Sequence, residues 1–173
     1  MKIKIKKLKQ KDLPQFLSLF QTVLSEDFPE YQPKVSKIYQ EHIFNQKYFK
    51  KFIKKKTNCI LGAFDGKKII GFLVMYGHSG GVVEFNWLAV NKNYRKKGIG
   101  TKLIAEGEKW SLKNKFHYVF FHTENMEYVE FYKRKGYEHL GLQKKMYFGI
   151  DEHLMQKVLK ETPFEEIFKK YLK

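Results

Sequence analysis

Residues 82–103 read VVEFNWLAVNKNYRKKGIGTKL, an apolar run that ends in a cluster of cations and two glycines. A run of this length, rich in β-branched and aromatic residues and entered through Ser79-Gly80-Gly81, reads as a buried strand over Val82–Val90. Leu103, Ile104, Gly107 and Trp110 then fall on one face of a helix, and YVFF (Tyr118–Phe121) is a second buried strand. Strand, glycine loop, helix and strand make a βαβ unit, so strands 82–90 and 118–122 are predicted to be parallel neighbours. Cations and glycines at the strand-to-helix turn point to an anion. The backbone N–H groups and the helix dipole of Arg95, Lys96, Lys97, Gly98, Ile99, Gly100 and Thr101 converge on one compact di-anion. The known phosphate loops do not fit. A dinucleotide fingerprint needs a third glycine where Leu103 stands, and GIGTK lacks the spacing of a P-loop.

Outward from this stretch, Cys59–Phe64 and Lys68–Gly77 read as strands joined by the turn Asp65-Gly66, and with Val82–Val90 they form an antiparallel meander. Met1 to Leu8 alternates apolar and basic residues as a half-solvated strand. Asp12 reads as the N-cap of a helix carrying Leu13, Phe16, Leu17, Phe20 and Leu24 on its apolar stripe. Pro33 reads as the start of a second helix running to about residue 55. A helix from about Met126 to Lys135, C-capped by Gly136, precedes a strand from Tyr137. A meander that enters a parallel crossover makes a mixed α/β sheet.

The chain has 173 residues, enough for one ordinary domain, with sixteen Phe and eleven Tyr to fill its core. Its net charge of +16 is spread over the whole length, which favours a lysine-coated surface over a nucleic-acid footprint. The single cysteine, Cys59, excludes an internal disulfide framework and points to a reducing compartment. MKIKIKKLK has no apolar core of a signal peptide, and no apolar run approaches the length of about 18 residues that a membrane span needs. A cytoplasmic, soluble protein, monomer or homodimer, with no membrane partner is the expectation.

The same stretch resembles the acetyl-CoA-binding motif of the GNAT superfamily of N-acetyltransferases, Gln/Arg-x-x-Gly-x-Gly/Ala, complete here as Arg95, Gly98 and Gly100. A second family motif appears as NMEYVEFYKRKGY, with Asn125, Phe131, Tyr132, Gly136 and Tyr137 in place and Tyr128 where a small residue is common. The two stand in order, about thirty residues apart, and the resemblance covers residues 1 to about 159. It implies a GNAT-like acyl-CoA N-acyltransferase fold, acetyl-CoA as co-substrate, no metal, and the CoA pyrophosphate as the anion. It also decides 151–159, ambiguous by period, in favour of a strand. TPFEEIFKKYLK, in the segment 160–173, reads as an amphipathic C-terminal helix outside the family core.

The resemblance further implies that Leu88, Ala89 and Val90 offer backbone groups to the pantetheine arm and that Asn125 bonds it. An N–H near Leu88 would polarise the thioester carbonyl. Tyr132 falls on the family's usual general acid. Glu84, eleven positions before Arg95, is the base candidate or else a solvent-facing carboxylate, and His122 is the reserve base or else a core histidine. The loop between the first two helices lines the acceptor side in the family. Here it holds Glu26, Asp27 and Glu30, an acidic patch suited to a cationic amine, or ordinary loop polarity. The function implied is transfer of acetyl to a peptide or small-molecule primary amine. The rival is a CoA-fold binding module using its basic surface for RNA or ribosome.

Overall fold

The computed structural model describes residues 2–27 and 37–161. Seven strands form one mixed sheet in the order β1-β2-β3-β4-β5-β7-β6. The strands are β1 Ile3–Lys7, β2 Cys59–Asp65, β3 Lys68–Gly77, β4 Val82–Val90, β5 Tyr118–Thr123, β6 Glu138–Gln143 and β7 Glu152–Val158. The helices are α1 Leu13–Asp27, α2 Gln46–Phe52, α3 Ile99–Lys113 and α4 Met126–Lys133. The mixed α/β expectation holds: β1–β2 and β2–β3 are antiparallel, and β4–β5 is parallel through Val82↔Tyr118, Val83↔Val119 and Glu84↔Phe120. Residues 152–158 form a strand, as expected, and it inserts between β5 and β6. No helix among the described residues is long and apolar enough to cross a membrane.

The chain divides into two compact units, residues 1–75 with 87–107 and residues 76–86 with 108–173. In the first, aromatic rings fill the core. Phe16 sits edge-on to Phe49 at 4.8 Å and to Phe72 at 5.1 Å, and Phe20 packs on Trp87 at 5.3 Å. Edge-to-face pairs of this kind add about 0.5–1.5 kcal/mol each beyond area burial. In the second, Phe121 of β5 receives Tyr132 at 4.3 Å and Tyr137 at 5.0 Å. Cys59 is fully buried, and burial pushes its thiol up to about 12, so it is an inert small hydrophobe.

Two local readings are corrected. Asp12 does not cap α1; it lies in a 3₁₀ turn and its Oδ2 accepts from Lys9 N at 2.8 Å. Gln15, in the first turn of α1, accepts from Ile69 N at 2.7 Å and ties α1 to the sheet. The second helix is not continuous. A π-helical turn, Tyr39–Ile43, ends at Phe44, and Asn45 restarts the chain as N-cap of α2, accepting from Tyr48 N. The apolar stripe keeps its period through the break, so periodicity alone does not reveal it. Pro33, Glu30 and, from residue 162 on, the segment 160–173 expected to form a C-terminal helix lie outside the described residues.

Candidate active site

The glycine loop is built by short bonds that turn the chain out of β4. Asn91 N donates to Ile70 O at 2.9 Å, and Asn91 Oδ1 accepts from Asn93 N at 3.1 Å. Arg95 Nε donates to Val90 O at 2.9 Å, so part of the guanidinium holds the loop to the strand it leaves. Lys97 donates to Asn93 O at 3.3 Å and lies 5.4 Å from the Tyr94 ring. Lys96 and Gly98 take left-handed backbone, φ 59° and 72°. The first intrahelical bond of α3 runs from Lys102 N to Gly98 O, so the N–H groups of Ile99, Gly100 and Thr101 precede any helical acceptor. A Cβ placed on Gly98 or Gly100 would meet no heavy atom within 4 Å. Three N–H donors at a helix N-terminus beneath open space, with exposed Arg95, Lys96 and Lys97 around them, fit the pyrophosphate of CoA.

Leu88, Ala89 and Val90 continue β4 and are half-buried. Among the described residues, the parallel pairing of β4 with β5 stops at Glu84↔Phe120, while β5 beyond that point is paired with β7 as far as Thr123.

In the second unit, α4 is fixed at both ends. Asn125 Oδ1 caps its start by accepting from Tyr128 N at 3.0 Å. At its end Gly136, φ 79°, allows a Schellman closure in which Tyr137 N donates to Tyr132 O and Gly136 N to Lys133 O. Tyr137 is anchored in turn: its hydroxyl donates to Glu108 Oε1 at 2.9 Å, and Lys157 Nζ donates to the same oxygen at 2.9 Å. Tyr132 is therefore held from backbone and ring alike. Its hydroxyl is kept protonated well beyond the ordinary phenol range, by burial first and then by neighbouring Tyr128.

Glu84 lies on β4 with one carboxylate oxygen accepting from Asn86 Nδ2 at 2.7 Å and the other 3.3 Å from His78 Nε2. Asn86 Oδ1 is buried with no partner among the described residues. His122 follows two residues after Phe120 and so shares its sheet face with Glu84. Burial lowers the pKa of His122, opposed by a side-chain hydrogen bond with Gln143 and by the charge of Glu84. The ring of Tyr147 stands edge-on to His122 at 5.9 Å. Tyr147 has its pKa raised by burial first, then by the charges of Glu84 and Glu152.

Glu152 is the residue that sequence reading missed. It is only 5% exposed, and burial alone pushes its carboxyl up to about 7. The folded pKa lies above the unfolded value, so the folded state binds more protons between the two. Stability is therefore full below about pH 4.5 and falls as pH rises towards 7. Glu152→Gln should melt with wild type at about pH 4.5 and above it at about pH 8, by up to roughly 3 kcal/mol. Parallel melting curves at both pH values would show instead that the carboxyl is not buried at a cost.

The acidic loop is only partly described. Glu26 pairs with Lys92 Nζ at 3.0 Å, Asp27 is the last residue of α1, and Glu30 lies outside the described residues. No group of three or more metal-ligating side chains is found among the described residues.

The chain is 27% identical over 107 residues to Streptothricin acetyltransferase A of Bacillus subtilis, covering 56% of this chain and 62% of that protein. It is 26% identical over 114 residues to an uncharacterised Mycobacterium leprae protein, covering 63% and 32%. The chain thus spans less than two thirds of either curated relative. It shares its fold with the PaiA N-acetyltransferase of Thermoplasma acidophilum, crystallised with coenzyme A, at TM-score 0.79 and 20% identity over 91% of this chain and 99% of that one. The model of the acetyltransferase (GNAT) family matches residues 17–137, glycine loop and Tyr132 included. The chain belongs to the acetyltransferase (GNAT) family.

Proposed function

We propose that this protein transfers an acetyl group from acetyl-CoA to a primary amine by direct attack in a ternary complex. The observation that carries the reading is the open N-terminus of α3, where three backbone N–H groups and Gly98 leave a cradle for a pyrophosphate. Acetyl-CoA, when bound, supplies an activated thioester. The backbone of Leu88–Val90 would pair with the pantetheine arm along the stretch of β4 past Glu84. The N–H near Leu88 would polarise the carbonyl that the amine attacks. As the new C–N bond forms and the C–S bond breaks, the amine must lose a proton and the sulfur must gain one. Glu84 accepts the first, directly or through one water, with His78 and Asn86 fixing its carboxylate. Tyr132 supplies the second. Asn125 keeps its amide N–H₂ for the arm while its carbonyl caps α4.

The acceptor is a peptide or small-molecule amine. An α-amine, with pKa about 7.8, is largely neutral near pH 8, whereas a lysine side chain costs roughly 3.5 kcal/mol more to deprotonate. A carboxylate base therefore favours low-pKa amines, unless the amine loses its proton before it binds. The Bacillus relative is named for streptothricin, which supports a small-molecule acceptor.

Glu84→Gln tests the base. It keeps the hydrogen-bonding shape but cannot accept a proton, so the rate near pH 7 should fall about tenfold or more. The loss should shrink towards pH 9.5, where more of the acceptor is already neutral. A constant ratio of mutant to wild-type rate from pH 6.5 to pH 9.5 would remove Glu84 from this role and point to His122. The rival reading, an RNA- or ribosome-binding module, predicts nucleic-acid affinity that falls steeply with salt, without acetyl-CoA turnover.

A further inference from the structure

Glu152 stands apart from every other carboxylate described. It is 5% exposed, and among the described residues it makes neither a hydrogen bond nor an ion pair. This is not for want of cations, since the chain has 34 lysines and arginines against 18 acids. Half-buried Glu108, by contrast, is met by Lys157 at 2.9 Å and by the Tyr137 hydroxyl. An unpaired buried carboxylate is costly and invites a ligand charge.

Its surroundings say which charge. Leu154 pairs in register with His122, and Glu152, two residues before Leu154, shares that sheet face. Glu84 is on the same face through its pairing with Phe120. The groups that meet there are Glu84, Glu152, the phenol of Tyr147 and the ring of His122, 5.9 Å from Tyr147. Burial disfavours the charged form of the His122 ring and of the Tyr147 phenol, so neither is a strong partner for a carboxylate. Close by, Asn86 Oδ1 is a second buried acceptor without a donor. This face therefore holds two carboxylates, an orphan carbonyl oxygen and two aromatic faces. A cationic N–H donor would satisfy all three kinds of group.

We infer that Glu152, on the sheet face it shares with His122 and Glu84, binds a second ammonium group of the acceptor, so that the preferred substrates carry two amines, one acetylated and one held. This rests on the transferase reading above and narrows its acceptor. The chain's overall positive field slows the approach of a dication, but it is screened beyond about 8 Å at physiological salt, so local carboxylates decide the bound state.

The test is calorimetric titration of the CoA-loaded protein with linear diamines, propane to octane, and with monoamines of equal length. The best diamine should bind the wild type at least about tenfold more tightly than its monoamine. Glu152→Gln, which keeps size and removes charge, should bring the two within about twofold while leaving monoamine affinity in place. Equal affinities in the wild type, absence of diamine binding, or a preference that survives Glu152→Gln would each overturn the inference. Thiol release from acetyl-CoA with monoamines reads the transferase function separately. A wild type that acetylates monoamines and diamines equally refutes the second amine site alone. One that binds diamines and releases no thiol refutes the transferase reading alone.

Discussion

Gly98→Val should abolish the rise in melting temperature that acetyl-CoA gives the wild-type protein. The ligand-free variant has reason to fold, because a Cβ at residue 98 meets no protein atom within 4 Å. What it does meet is the space above the first N–H groups of α3, which the pyrophosphate must enter. At a hundred times its dissociation constant, a ligand that binds only the native state stabilises by about 2.7 kcal/mol. That whole effect is at stake. The left-handed backbone at Gly98, φ 72°, adds a separate cost of about 1–2 kcal/mol for any branched residue. Gly66→Val is the internal control. Its φ of 58° and open surroundings impose the same strain in the hairpin between β2 and β3, remote in sequence from the loop. It should lose similar stability and keep the acetyl-CoA shift. Retention of the shift in a folded Gly98→Val protein would move the pyrophosphate elsewhere.

Tyr132→Phe should lower kcat by about a hundredfold and leave the acetyl-CoA shift nearly intact. The ring contact with Phe121 at 4.3 Å and the Schellman closure through Tyr132 O do not involve the hydroxyl. Only a proton donor is removed. Burial changes the expected pH behaviour of that donor. A phenol of ordinary acidity, near 10, would match a thiol leaving group. In the structure the hydroxyl is a weaker acid, so it stays protonated across any practical pH range. The hundredfold deficit should therefore persist at pH 9.5, where the Glu84→Gln deficit has shrunk. A Tyr132→Phe rate near wild type would leave water as the donor to sulfur.

These two positions were legible because they are local. Arg95, Gly98 and Gly100 sit within one turn of a strand-to-helix junction, and the motif around Tyr132 lies within one helix and its cap. Strand alternation, the Asp65-Gly66 turn and the crossover of β4, α3 and β5 were readable for the same reason. The break at Phe44 and Asn45 was not, because the apolar stripe runs through it unchanged and only the cap bond from Tyr48 N marks it. Glu152 was less accessible still. In DEHLMQKVL it looks like ordinary strand polarity. Its place beside His122 and Tyr147 depends on the register of β7 against β5, a pairing across some thirty residues. His78 likewise reaches Glu84 only because Gly80 and Gly81 turn the chain back at positive φ. Local signals wrote the glycine loop; sheet register assembled the polar face.

One measurement bears most directly on the function. Wild-type protein is incubated with acetyl-CoA and a panel of amines, and free thiol and acetylated amine are read in the same reaction. The panel takes peptides with free α-amines, lysine side chains, monoamines and linear diamines. Acetyl transfer predicts that thiol and acetylated product appear one for one with at least one class, and that both fall together in Tyr132→Phe. Protein that is stabilised by acetyl-CoA yet yields no acetylated amine and no thiol above the uncatalysed background with any class would contradict it.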